Sequence, residues 1–194
     1  LNLFRHRNNT PKKLHTSHSL SLSEKYNPDR LLLLVFTKTR RQFLTRIAIL
    51  FTKLGNGQAW LLFSLIIMLY SVPIGVSFHI SALLQLYGQI FLKNLVKRTR
   101  PYLVYQDLDY LYAPPDPFSF PSGHTAAAFT MAFTAKLVFP VAWPFFLIIA
   151  LIIAFSRVYL AVHYPSDIFA GIILAYFSAK CGTFLSQIVT GIMI

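Results

Sequence analysis

Acidic side chains are scarce in this chain: 194 residues carry six Asp and Glu against 18 Lys and Arg, a formal net charge of +12. The six are Glu24, Asp29, Asp107, Asp109, Asp116 and Asp167. They do not combine with histidine into the ligand cluster that a two-metal hydrolase requires, so no metal site is expected. Cysteine is nearly absent as well. Cys181 stands alone, which excludes a disulfide-stapled scaffold. Charged residues amount to 12%, against about 25% in a soluble domain. The hydrophobic share of 55% excludes disorder and a collagen-like chain. What remains is an all-α membrane protein of one domain. In a soluble chain the basic excess would point to nucleic acid. With a mean hydropathy of +0.55 it points to anionic lipid headgroups instead, and no nucleic-acid partner is expected.

Three regions follow from the pattern of charge and apolar runs. Residues 1–29 hold Arg5, Arg7, Lys12, Lys13 and Lys25 among polar residues and read as a basic, disordered tail. No apolar core follows the early cations, so a secretory signal is not expected there. Residues 30–57 read as an amphipathic segment. Phe43, Leu44, Ile47, Leu50, Phe51 and Leu54 recur at helical spacing, while Arg40, Arg41, Arg46 and Lys53 keep the segment from spanning a bilayer. It is expected either to lie in the membrane interface or to pack on the bundle. Residues 58–194 read as the membrane-embedded part, a bundle of about five spans: Gln58–Ile74, Val76–Leu92, Thr125–Phe139, Ala142–Phe155 and Pro165–Thr190. Five crossings place the 93–124 loop and the 156–167 segment on the same membrane face.

Polar clusters gather on that face. The first runs from Lys93 to Arg100-Pro101, the second is Phe120-Pro121-Ser122-Gly123-His124-Thr125, and the third runs from Ser156-Arg157 through His163 to Asp167. Singly, they could be interfacial anchors, a helix start and a structural Arg–Asp pair. Together they bring two histidines, three cations and a carboxylate to the ends of apolar helices, where ionisable groups are costly and usually functional.

The three clusters resemble, position for position, the tripartite signature of the type-2 phosphatidic acid phosphatase superfamily: Lys, six residues, Arg-Pro; Pro-Ser-Gly-His; and Ser-Arg, five residues, His, three residues, Asp. The resemblance spans about residues 55–175. The family usually has six spans, and the charged segment over 31–54 stands where the first would be. The resemblance implies an integral-membrane phosphatase acting on a lipid phosphate or isoprenyl diphosphate, in contact with membrane lipid. It implies a phosphohistidine at His163 that water hydrolyses, with Asp167 orienting the imidazole. In bacterial relatives the site usually faces the periplasm across the inner membrane; the distribution of Lys and Arg argues for the cytoplasmic side. The family orientation is the expectation taken forward.

The residue types suit that chemistry. Lys93, Arg100 and Arg157 can neutralise a phosphate, the two Arg in bidentate fashion. Ser122 and the Gly123 N–H can add hydrogen bonds at a helix start. These charges make a cofactor unnecessary for neutralising the substrate. His163 has a carboxylate four residues on, at Asp167, and His124 is the remaining histidine available to protonate a leaving oxygen. Two other readings are open at this stage: a vanadate-dependent haloperoxidase-like enzyme, disfavoured by the five apolar runs, and a non-catalytic membrane protein of the same fold, disfavoured because no signature residue is lost. The 93–124 loop is also crowded with Tyr102, Tyr105, Tyr110, Tyr112, Phe118 and Phe120. They are expected to form an interfacial belt, or else to line a lipid entrance.

Overall fold

The computed structural model describes residues 26–105, 108, 111, 114 and 116–192. The basic tail up to residue 25, Tyr110 and Tyr112 lie outside the described residues. Among those described there are eight helices and no β-strand: α1 (Pro28–Lys38), α2 (Gln42–Leu54), α3 (Gly57–Tyr70), α4 (Val72–Val96), the single turn α5 (Pro101–Val104), α6 (Gly123–Val138), α7 (Trp143–Tyr159) and α8 (Pro165–Thr190). α4 and α8 are long and apolar enough to cross a membrane, and α3 and α7 are shorter apolar helices.

The five apolar runs each become one helix, α3, α4, α6, α7 and α8, but several ends move. Pro73, expected to close the first run, instead sits in the first turn of α4, where its missing N–H costs nothing. The break falls one residue after Tyr70. α4 continues past Lys93 to Val96, and α7 continues past Ser156 and Arg157 to Tyr159, so these polar residues occupy last helical turns rather than following them. The N-terminal segment is two helices, not one. α1 begins at Pro28, within the stretch read as tail, with the Asn27 side chain accepting from Asp29 N at 2.9 Å as its cap.

α6 is the hub. It packs against α4, α7 and α8, and α4 and α8 pack on each other. Its inner faces carry Ala126, Ala127, Ala128, Ala132 and Ala135, all buried, and small side chains let helix backbones approach closely. Gly182 on α8 serves the same end: a Cβ there would lie 2.5 Å from Ser81 Cα on α4. Larger residues, Phe78, Phe129, Met131, Phe146 and Ile153, fill the remaining core.

α1 and α2 flank the polar end of this bundle. Leu33 of α1 is buried with Tyr105, Leu108, Val158, Ala161 and Tyr164. Ala48 of α2 is buried with Tyr102, Tyr159, Leu160 and Val162. The segment between α7 and α8 is therefore gripped from two sides. α2 packs on α7 through Ala48 and Thr52, while Phe43, Leu50 and Leu54 stay exposed. The packing of this helix on the bundle is observed: Ala48 and Thr52 are buried and Ile49 and Phe51 pack beside them, while Phe43, Leu50 and Leu54 face outward.

Candidate active site

The last turn of α4, the segment 97–100, the start of α6 and the α7–α8 connection converge on one end of the bundle. Lys93 stands on the last α4 turn. The chain then leaves the helix through Lys97 in the left-handed region (φ 49°) and runs extended, Thr99 bridging antiparallel to Phe118. That extended segment delivers Arg100 into the protein, where it is 1% exposed.

Arg100 uses its whole fork. Nε donates to the Asp116 carbonyl at 2.8 Å and Nη2 to the Asp116 carboxylate at 3.1 Å. Nη1 donates to the Val162 carbonyl at 2.9 Å and faces His163 Nε2 at 3.1 Å. Because a guanidinium can only donate, Nε2 must present a lone pair. The imidazole is then the tautomer protonated at Nδ1. That proton points toward Asp167, whose Oδ2 lies 3.5 Å from Nδ1, longer than a hydrogen bond, as is common before substrate arrives. Asp167 Oδ2 also accepts from Tyr164 N at 2.9 Å, closing the first turn of α8. His163 is 1% exposed. Burial, with Arg100, Arg157 and Lys93 and then His124 around it, drives its pKa well below the ordinary 6.5. It is a neutral base whose one lone pair, on Nε2, faces Arg100 Nη1.

The other signature residues surround it. Arg157 is fully buried in the last turn of α7 and donates to Thr52 Oγ1 on α2. Lys93 Nζ reaches Asp116 Oδ1 at 2.8 Å and the Phe118 carbonyl at 3.1 Å. His124 is the second residue of α6 and lies within electrostatic reach of His163. Its ring packs on Gly55, where an added Cβ would come within 3.0 Å of His124 Cβ and Cδ2. Ser122 is placed differently from the expectation that it faces phosphate. Its hydroxyl is buried against Thr125 Oγ1 at 2.9 Å and its N–H donates to the Asp167 carbonyl at 3.0 Å. It pins α6 to α8. The N–H groups of Gly123 and His124 have no acceptor within the helix and are the ones left to the anion.

A cavity of about 420 Å³ opens beside His124, lined by the amides of Asn56, Gln58, Gln85 and Gln89 and by Leu61, Ala82 and Leu86. Gln85, Gln89 and Lys93 stand at i, i+4 and i+8 on α4, one polar stripe running up to the cations. Gln85 Nε2 donates to Gln89 Oε1 at 2.9 Å.

Three residues join the site without having been picked out by the sequence. Asp116 neutralises Lys93 and Arg100 together. Burial opposes its ionisation, but Lys93 and Arg100 outweigh that and hold the carboxyl below the usual carboxylate range. Arg98 lies 2.9 Å from Asp167 Oδ1 through Nη1 and 2.9 Å from Asp29 Oδ2 through Nη2. Asp29, on α1, is the third. The signal for Arg98 was its place two residues before Arg100, which in an extended segment puts both on one side. Asp29 and Asp116 carry no such signal, because their partners lie far along the chain or across an irregular loop. Among the described residues no three His, Cys, Asp or Glu side chains gather as metal ligands.

Comparison with known proteins bears on the family and the fold. The family described as "PAP2 superfamily" matches residues 65–190. An undecaprenyl-diphosphatase from Sulfolobus acidocaldarius is 28% identical over 134 residues, 68% of this chain and 65% of that protein's length. The crystal structure of Aquifex aeolicus LpxE superposes with a TM-score of 0.71 at 24% identity, over 79% of this chain and 93% of that one. A transmembrane PAP2-type phosphatidylglycerolphosphate phosphatase from Bacillus subtilis gives a TM-score of 0.64 at 23% identity, over 83% and 85%. These two likenesses establish the shared fold.

Proposed function

The chain belongs to the PAP2 superfamily, and from that footing we propose that it is an integral-membrane phosphatase cleaving a lipid phosphate monoester or diphosphate through a phosphohistidine, without a metal. The observation that carries this reading is the orientation of His163: Nε2 faces Arg100 Nη1 at 3.1 Å while Nδ1 turns toward Asp167. The nucleophilic lone pair thus lies against the cation that would hold the phosphate.

The steps follow from the placement. The substrate phosphate enters among Lys93, Arg100 and Arg157 and the N–H groups that open α6. Its charge competes with Asp116 for Lys93 and Arg100. Nε2 of His163 attacks phosphorus, the bond from phosphorus to the leaving oxygen breaks, and Asp167 steadies the positive charge gained by the ring. Burial, with Arg157, Arg100 and Lys93 beside it, pushes the His124 pKa down to about 3 without substrate; the phosphate dianion offsets those cations and lets the ring carry the proton it gives to the leaving oxygen. The cavity beside His124 receives the departing lipid alcohol or lipid phosphate. Water then attacks phosphorus, His124 takes its proton, the P–N bond breaks, and inorganic phosphate leaves. Three cations and aligned N–H groups stabilise the transferring phosphoryl group, the task a metal performs elsewhere.

The relatives' names supply the substrate classes to assay: phosphatidylglycerol phosphate and undecaprenyl diphosphate. Purified protein in detergent should release phosphate from at least one of them at undiminished rate in excess EDTA. Loss of all activity on chelation would remove the metal-free mechanism, and no release from any lipid phosphate would remove the function.

The site is placed on the outer side of a bacterial inner membrane, following the family orientation. A cysteine introduced at Val104, in a Cys181→Ser background, should react with an impermeant maleimide on intact cells. Labelling only after lysis would place the site in the cytoplasm.

A further inference from the structure

We infer that Arg98 and Asp29 are positioning residues for phosphoryl transfer, through which the N-terminal helix α1 holds the catalytic turn in its working geometry. The inference deepens the phosphatase reading and rests on it.

Asp167 can orient His163 only if its own carboxylate is fixed. One oxygen, Oδ2, is committed to Tyr164 N and to the imidazole. The other, Oδ1, is held by Arg98 Nη1 at 2.9 Å. Arg98 in turn is fixed on three sides. Nη1 also donates to Ser166 Oγ at 2.6 Å, Nη2 donates to Asp29 Oδ2 at 2.9 Å, and the guanidinium lies over the Tyr164 ring, 3.7 Å from its centroid. A planar cation held by two carboxylates and stacked on an aromatic face has little freedom to turn.

Asp29 closes the circuit. Its Oδ1 accepts from Ser166 N at 3.0 Å and its Oδ2 from Ser166 Oγ. Ser166 is in the first turn of α8, so the Asp29 carboxylate sits at that helix's N-terminus, where negative charge is favoured. Burial works against ionisation of Asp29, but hydrogen bonds from Ser166 and Arg98 outweigh it and keep the group ionised. Leu33, one helical turn beyond Asp29, is buried against Tyr105, Val158 and Tyr164. α1 is therefore seated by an apolar side chain and aimed by a carboxylate. The cations assigned to the phosphate are Lys93, Arg100 and Arg157; Arg98 spends its fork on Asp29, Ser166 and Asp167. Disturbing it should spoil the aim of the nucleophile and leave the grip on phosphate intact.

The test uses the full chain in detergent, with wild type, R98A, R98K, D29A and the R98A/D29A double variant compared on one lipid phosphate. Supporting groups around a reactive centre are typically worth about 10- to 100-fold. R98A should lower kcat by about 100-fold and D29A by about 10-fold, with KM and the Ki of inorganic phosphate within about 2-fold of wild type. R98K should recover part of the loss. Because Asp29 and Arg98 belong to one network around Ser166, the double variant should lose much less than the product of the two single losses. Wild-type kcat in both single variants would overturn the inference, as would parallel losses in kcat and phosphate affinity. Should R98A fail to yield monodisperse protein, D29A carries the test, since it removes the contacts of α1 with Arg98 and Ser166 and leaves Arg98 on Asp167. A wild type that releases no phosphate at all would fail the phosphatase reading itself, a distinct result.

Discussion

Replacing His163 by alanine is expected to abolish turnover, by at least about 10⁴-fold in kcat, with every lipid phosphate the wild type accepts. The size follows from the role. The other groups at the site have other tasks: His124 faces the leaving oxygen, Lys93 and Arg100 are committed to Asp116, and Asp167 is held by Arg98 and Tyr164. Without the imidazole, water must attack directly, and the two-step route is lost. The phosphate grip does not depend on that ring, so the Ki of inorganic phosphate should stay within about 10-fold of wild type, which corresponds to about 1.4 kcal/mol. His163→Gln keeps more of the volume and should be equally inactive, separating lost chemistry from a cavity in the packed turn. A purified His163→Ala enzyme with more than a few per cent of wild-type kcat would refute the nucleophile assignment.

The second large effect concerns His124 and depends on the substrate. A general acid matters in proportion to how badly the leaving oxygen needs a proton. With an alkyl phosphate, whose alcohol is a poor leaving group, His124→Ala should lower kcat by about 10²- to 10⁴-fold. With an aryl phosphate such as p-nitrophenyl phosphate the first step, read as a burst of phenolate, should slow by no more than about 10-fold, because the phenolate departs unassisted, and the loss in steady turnover moves to hydrolysis of the phosphohistidine. The geometry allows this role: His124 starts α6, borders the amide-lined cavity, and is backed by Gly55, whose lack of a side chain makes room for the ring. Equal slowing of the first step with both substrate types would mean that His124 binds or positions phosphate rather than protonating the leaving group.

The signature positions were legible because their chemistry is tied to fixed local spacing. Lys93 and Arg100 are joined by one helix end and one extended segment, and His163 and Asp167 by one helical turn, so sequence distance fixes spatial distance. Asp29, Arg98 and Asp116 escaped notice for the opposite reason. Asp29 meets Arg98 across 69 residues and Ser166 across 137, and only tertiary packing sets those contacts. Ser122 shows a third case. Its hydroxyl and N–H serve the joint between α6 and α8.

The fold was readable to a similar depth. Long apolar runs gave the five bundle helices, while their ends moved because Pro73 starts a helix as readily as it stops one. α2 shows where the apolar spacing stopped short: Phe43, Leu50 and Leu54 stay exposed, and the small residues Ala48 and Thr52 take the contact with α7. The run Leu31–Val35 in α1 was too short for a span, and its charged surroundings hid a helix that seats Leu33 beneath the catalytic turn.

The account stands on His163 Nε2 becoming bonded to phosphorus. Wild-type enzyme mixed with lipid phosphate, quenched in alkali within milliseconds and digested, should yield a peptide containing His163 that is heavier by one phosphoryl group and loses it in acid. The label should be absent from His163→Ala and should accumulate in His124→Ala when the substrate is an aryl phosphate. Steady turnover with no phosphate ever found on that peptide, under quenching that preserves a phosphohistidine standard, would contradict the mechanism.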